Sequence, residues 1–269
     1  MSRIKTDLPP GAHRADTVDA YQAAVERAIR HMKEQLAEPL DLDELARIAA
    51  ISKFHLVRVF DEITGTTPHH FLACLRVQRA KELLLKSETA ITDVCLEVGY
   101  NSLGTFSKTF SELVGLSPQE FRRMPKRLTA KQFATAIWRY LAARKKITGP
   151  TIEGVVEGPR TPKGFTFVGT FTRGVPLGVP FSGTVMIGHG KFCIERPTIP
   201  EFHLLAALVP LSADLTSMVG NIPIQLVASL RVKNDPAGAL EQPRLCLRPL
   251  RPTDPPIVMA LPALPPLRG

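Results

Sequence analysis

The sequence predicts a multidomain chain: an all-α N-terminal unit built on a duplicated helix-turn-helix, then a mainly-β domain read as a β-sandwich. Three observations carry this. From Asp16 to Arg127 apolar residues recur at helical spacing. The same stretch matches itself at a shift of fifty residues. Beyond Pro150, prolines and glycines arrive every few residues between short β-rich runs. The domain limits expected are 16–127 for the helical unit, 128–150 for a basic linker and 151–269 for the β-rich part.

In the helical unit, Tyr21, Val25, Ile29, Met32 and Leu36 form the stripe of a first helix that Pro39 closes. Asp41 and Glu44 make a capping-box-like start for a short helix carrying Leu42, Leu45 and Ile48. Ser52 caps the next helix, whose Leu56, Val59, Phe60 and Ile63 turn inward and which Gly65 stops. Thr67-Pro68 opens a helix of about 20 residues, roughly 30 Å long at 1.5 Å per residue, that runs to Lys86.

The second copy follows by the internal match. Asp43 pairs with Asp93, Ser52 with Ser102, Arg58 with Lys108, Phe60 with Phe110, Gly65 with Gly115, Pro68 with Pro118 and Phe71 with Phe121. Apolar positions follow, Leu45 on Cys95, Ile48 on Val98, Leu56 on Phe106 and Ile63 on Leu113. Each copy is a short helix, a tight turn and a helix begun by Ser and ended by Gly, the description of a helix-turn-helix.

In the β-rich part the expected strands are Ile152–Val156, Phe165–Phe171, Gly183–Ile187, Lys191–Glu195, Phe202–Val209, Ile224–Val232 and Arg244–Leu250. Gly188-His189-Gly190 is expected to turn a hairpin between the third and fourth.

A chain of 269 residues is long enough for two cores. It has no apolar run near the roughly 18 residues of a membrane-spanning helix. Its N-terminus carries charges and Pro9-Pro10 where a secretory signal would be apolar, so the expected location is the cytoplasm, with no membrane partner. The four cysteines, Cys74, Cys95, Cys193 and Cys246, lie far apart, with no metal-ligand spacing, and read as buried thiols packing as small hydrophobes. His69-His70 opens a helix and reads as solvated or capping. No nucleophile elbow, Gly-rich phosphate loop or metal-ligand spacing occurs, so neither enzymatic activity nor a cofactor or metal is expected.

The net charge of +9 fits an anionic partner, and residues 121–152 hold nine basic and no acidic side chains. That segment reads either as a solvated linker or as an auxiliary phosphate-contacting stretch. Phe133, Ile137 and Leu141 would give it a helical stripe. Residues 1–130 are nearly balanced, 18 basic against 17 acidic, which disfavours sequence-independent packaging of nucleic acid.

The duplicated unit resembles the AraC/XylS family on Leu42 to Ala49, Ser52, His55-Leu56, Arg58, Phe60, Gly65 and Pro68. The match continues through Arg76, Ala80 and Leu83-Leu84, then Ile91-Thr92-Asp93, Val98-Gly99-Tyr100, Phe106-Ser107-Lys108, Phe110, Gly115, Ser117-Pro118 and Phe121-Arg122. The resemblance implies a homeodomain-like, bipartite reader of double-stranded DNA with the second helix of each motif in the major groove, serving as a transcription regulator. Its partners would be DNA, RNA polymerase and, at the C-terminal domain, a small-molecule or protein effector. The other reading makes that domain a structural or interaction module tethered to DNA.

Once the core stripe is subtracted, Lys53, Phe54, Val57, Arg58 and Asp61 face outward on the first reading helix, and Leu103, Gly104, Ser107, Lys108 and Ser111 on the second. By the resemblance Phe54, Val57 and Arg58 are groove-facing, Arg58 suiting bidentate contact to guanine and the other two a thymine methyl. Phe54 reads alternatively as half-buried against the first helix. Lys108 suits a phosphate better than a base edge. Gly104 weakens its helix by about 1 kcal/mol relative to alanine, which close approach of DNA would offset. Helix starts at Asp41, Ser52, Thr67, Ser102 and Ser117, and the matched Arg122, are further phosphate candidates, though for any single start a plain cap is the better reading. The β-rich part, through Phe167-Val168-Gly169 and Asp254-Pro255-Pro256-Ile257, is distantly similar to transthyretin-like sandwich modules.

Overall fold

In a computed structural model the residues described are 14–127, 149–159, 164–176, 180–210, 224, 226–234 and 241–258. Residues 128–148, which include the expected helical stripe Phe133, Ile137 and Leu141 and most of the basic segment, lie outside them. Seven helices come first: α1 (Arg14–Glu34), α2 (Leu42–Ala49), α3 (Lys53–Thr64), α4 (Pro68–Lys86), α5 (Ile91–Glu97), α6 (Leu103–Val114) and α7 (Pro118–Arg127). α1 ends five residues before Pro39, and the intervening chain forms a separate loop whose carbonyls are used elsewhere.

Capping chemistry sets the boundaries. The Asp41 carboxylate accepts from the Glu44 N–H at 2.6 Å and the Thr67 hydroxyl from the His70 N–H at 3.4 Å, each answering a donor that a helix start leaves unpaired. Pro68 occupies the first turn of α4, where no N–H is needed. The Arg27 guanidinium donates to the carbonyls of Ile48 and Ala49 at 3.3 and 2.8 Å, closing the end of α2 from the side.

α4 is apolar on two sides because it serves two cores. Phe71, Leu72 and Leu75 join the cluster of α1–α3, whereas Ala73, Cys74, Val77, Ala80 and Leu84 join that of α5–α7. Perpendicular ring pairs sit at equivalent points of the repeat, Phe60 on Phe71 at 5.5 Å and Phe110 on Phe121 at 5.6 Å.

A clamp fixes one helix-turn-helix against the other. The Arg76 guanidinium donates to the carbonyls of Leu36 and Glu38 at 2.9 and 2.8 Å and lies 5.5 Å from the centre of the Tyr100 ring. Between those two carbonyls, Ala37 rests on Gly99. The loop after α1 is thereby held by the connecting helix and by the turn of the second motif.

The β-rich part holds β1 (Thr151–Glu157), β2 (Gly164–Phe171), β3 (Gly183–Ile187), β4 (Lys191–Glu195), β5 (Glu201–Pro210), β6 (Leu226–Lys233), β7 (Arg244–Cys246) and β8 (Arg248–Pro249). They form two sheets, one ordered β4-β1-β7 and the other β3-β2-β5-β6-β8. The β1–β7 pair is parallel and the others are antiparallel. Ile152, Val156, Phe192, Ile194 and Leu245 from the first sheet share one core with Val168, Phe202, Leu204, Ala206, Ala228 and Val232 from the second.

Cys74 and Cys95 are buried as expected, but Cys193 and Cys246 are exposed, because the alternation of β4 and β7 turns Phe192, Ile194 and Leu245 inward and these thiols outward. Two strand expectations are also corrected. The run Arg244–Leu250 is two short strands in different sheets, because the chain leaves β1 at Leu247 and pairs with β6 from Arg248. Gly188-His189-Gly190 makes no paired hairpin: both glycines have positive φ, and the chain crosses from one sheet to the other, β3 on β2 and β4 on β1.

Candidate nucleic-acid interface

The second helices of the two motifs are α3 and α6, of 12 residues each, begun and ended alike. The Ser52 hydroxyl accepts from the His55 N–H and the Ser102 hydroxyl from the Thr105 N–H, both at 3.4 Å. Gly65 and Gly115, in the left-handed conformation, end them by donating to the carbonyls of Asp61 and Ser111. Ser52 and Ser102 are thus caps first, and each leaves the remaining N–H groups of its first turn facing outward. Inward, Leu56, Val59 and Phe60 of α3 and Phe106, Phe110 and Leu113 of α6 are buried, which fixes what each helix turns to solvent.

On that outer face Lys53, Phe54, Arg58, Leu103, Gly104 and Lys108 are exposed. Phe54 is 82% exposed and Leu103 43%, so the half-buried alternative for Phe54 is not what the fold provides. A phenyl ring left in water is unfavourable unless something covers it. Lys53 pairs with Asp43 at 3.1 Å and Arg58 with Glu62, one turn on, at 3.5 Å. Both are exposed pairs, worth a few tenths of a kcal/mol, and yield readily to a stronger anionic partner. Lys108 is exposed. Val57 and Ser107 are half-buried, and the Ser107 carbonyl accepts from the Ser111 hydroxyl at 2.8 Å. Around Gly104 the protein leaves open space: a Cβ there would meet only the Ser102 Oγ, 3.8 Å away.

Aligned through the repeat, the faces differ at every position: Lys53 against Leu103, Phe54 against Gly104, Val57 against Ser107 and Arg58 against Lys108. The outer face of α3 offers a planar guanidinium and two apolar groups, that of α6 a point charge, a hydroxyl and bare backbone. Between them lies α4, 19 residues and so about 28 Å, close to the roughly 34 Å of one turn of B-DNA.

Two expected residues are engaged elsewhere. Arg122 is half-buried, and its Nη2 donates to the Thr89 carbonyl at 2.5 Å, tying α7 to the start of α5. Asp61, at the far end of α3, lies beside the β-rich part: its charge helps raise Arg231, and among the charges acting on His203, Arg231 holds that ring down while Asp61 opposes it. Burial is the first cause of the lowered His203, and the Glu201 hydrogen bond of the raised Arg231. The residues missed from the sequence are Arg76 as a clamp and Lys81. The latter is 1% exposed, donates to the Val258 carbonyl at 2.9 Å and stands 5.5 Å over the Phe121 ring. Arg76 carried a signal, being in the matched motif, whereas a lysine on a helix gives none.

Among the described residues no group of three or more metal-ligating side chains gathers, and no helix is long and apolar enough to cross a membrane. Residues 45–124 match the family model described as a helix-turn-helix domain. The MmsAB operon regulatory protein of Pseudomonas aeruginosa is 40% identical over 94 residues, 35% of this chain and 30% of that protein. The transcriptional regulator GbdR of the same species is 32% identical over 102 residues, 38% of this chain and 28% of that protein. The chain therefore spans about three tenths of the length of these curated relatives. A solved transcriptional regulator from Chromobacterium violaceum, of the AraC-type DNA-binding-domain proteins, is 28% identical. It covers 41% of this chain and 99% of its own, with a TM-score of 0.39.

Proposed function

We infer that this chain, whose residues 45–124 form an AraC-type helix-turn-helix domain, is a sequence-specific transcription regulator that reads two neighbouring major grooves and works in the cytoplasm. The observation that carries this reading is the pair of exposed, differently furnished faces on α3 and α6, joined by a rigid helix of about one DNA turn. Lys53, Phe54, Val57 and Arg58 form the first reading head, and Leu103, Gly104, Ser107 and Lys108 the second. Ser52 and Ser102 hold the helix starts at which a phosphate is received, and Arg122 acts through the α5–α7 tie.

Selection from a randomised duplex library at stated salt tests it. The expected site has two parts one turn apart. Arg58→Ala should relax one base position by about 1–3 kcal/mol, and Lys108→Ala should weaken all sequences alike while lowering the salt slope by about one. Enrichment of no sequence would overturn the reading.

Gly104 gives a sharper check. Gly104→Ala is expected to stabilise α6 by about 1 kcal/mol in thermal melting, since no protein atom crowds the new methyl, yet to weaken binding of the selected duplex in fluorescence anisotropy. Equal or tighter binding would mean that no backbone passes close there.

The β-rich part is read as a two-layer sandwich that senses an effector, supported by the core its sheets share and by a hollow on its outer face. Exposed Phe181 and Ile187, the latter ending edge strand β3, favour the second reading, a docking surface for a protein.

A further inference from the structure

The five-stranded sheet has a second apolar face, turned away from the three-stranded sheet. Phe167, Phe171, Leu205 and Val227 project there and line a hollow whose empty volume, open mouth included, is about 850 Å³. Residues 248–257 form another of its walls. The charged side chains in the lining, Arg248 and Asp254, satisfy each other through bonds of 2.6 and 2.7 Å, and the Arg251 N–H adds a third to Asp254 at 2.7 Å. Among the described residues of the lining no charge is left unpaired to meet a charged ligand, and an ion moved against them would lose its hydration without return. Thr184 and Ser229 add hydroxyls, and apart from these and the Arg248–Asp254 pair the described lining residues are apolar.

Two strips of the wall continue into the helical unit. In the first, Gly174 and Pro176 line the hollow, while Val175 between them is fully buried in the core of α4–α7. The approach is close at this point: a Cβ on Gly174 would stand 3.2 Å from the Gly65 Cα at the end of α3. In the second strip, Pro255 and Ile257 line the hollow, while Val258 enters the same helical core and its carbonyl receives the Lys81 ammonium. A tightly packed interior would pass on a displacement of either strip rather than absorb it.

We propose that this hollow is a binding site for a neutral, predominantly apolar small molecule, and that strips 174–176 and 255–258 carry its occupancy into the core beneath α6. The proposal rests on reading the β-rich part as a sensing module. A ligand acts on the reading head to the extent that it favours one placement of the strips over another.

The test titrates the full chain with phenylnaphthylamine, a neutral dye that brightens on leaving water, and with anilinonaphthalene sulfonate, its charged counterpart. Saturable one-to-one binding of the neutral dye is expected, with the sulfonate about tenfold weaker or worse. Ala207→Phe, which fills the hollow from the sheet, and Ser229→Phe, which narrows it at an exposed position, should each weaken the neutral dye about tenfold. Circular dichroism identifies a variant that has not folded, and the exposed position of Ser229 keeps the second variant informative. Coupling is read without DNA: the neutral dye should slow amide hydrogen exchange in α4 and α6 of the wild type and leave it unchanged in Ser229→Phe. No saturable binding, or wild-type affinity in both variants, overturns the site; slowing confined to the strands overturns the coupling. Failure of the DNA-reading proposal would appear in the duplex selection and leave these readouts standing.

Discussion

Gly99→Ala is expected to destabilise the folded chain by about 3 kcal/mol, seen as a lower denaturation midpoint at unchanged slope. Two penalties combine. Gly99 has φ +84°, a conformation that costs an L side chain roughly 1–2 kcal/mol. A Cβ built there stands 2.6 Å from the Ala37 carbonyl oxygen and 2.9 Å from its Cα, well inside contact distance. The loop cannot simply retreat, because Arg76 grips the carbonyls on either side of Ala37. Gly115 separates the terms: its φ is +86°, yet a Cβ there meets nothing within 4 Å. Gly115→Ala should therefore lose about 1–2 kcal/mol, the conformational part by itself. Equal losses in the two variants would mean that the Ala37 contact does not hold the two motifs together.

Local chemistry was legible in the sequence. Ser52, Thr67, Gly65 and Gly115 occupy the cap positions that their own side chains or freedom of φ dictate, and the fifty-residue match placed α5 and α6 from α2 and α3. The outward faces followed by subtraction, since burial of Leu56 and Phe60 leaves Phe54 and Arg58 nowhere else to point. What failed was partner choice across long separations. Periodicity says that Arg122 is on a helix, but its partner is the Thr89 carbonyl, set by how α7 crosses α5. The run from Arg244 to Leu250 has a uniform β character, and the division at Leu247 depends on which sheet edge each half finds free. The segments Phe167-Val168-Gly169 and Asp254-Pro255-Pro256-Ile257 are neighbours around one hollow, which no spacing in the chain announces.

The largest expected effect belongs to Lys81. Burial pushes its ammonium from the ordinary 10.5 down to about 7, the carbonyl of Val258 and the face of Phe121 being its nearest compensation. The sign follows from proton counts. Between about 7 and 10.5 the unfolded chain holds a proton that the folded chain has released, so stability rises with pH in that window. Below about 7 both states are protonated and the group adds no slope. The slope approaches 1.4 kcal/mol per pH unit, roughly 5 kcal/mol over the whole interval.

Cys74 opposes it from above. Burial raises that thiol from 9.0 to about 12, so its contribution falls away as the unfolded thiol ionises beyond pH 9. The informative range is therefore pH 7–9, and the informative quantity is the difference between wild type and Lys81→Met, which shares every other titrating group. Methionine keeps the packing of the stem and gives up a hydrogen bond worth about 1 kcal/mol. At pH 6 the variant should be the more stable protein, and its excess should shrink steadily towards pH 9. Parallel stability curves would show a hydrated ammonium in solution. Since the acceptor belongs to Val258, 177 residues along the chain, they would also show that the second strip is not seated in the helical core.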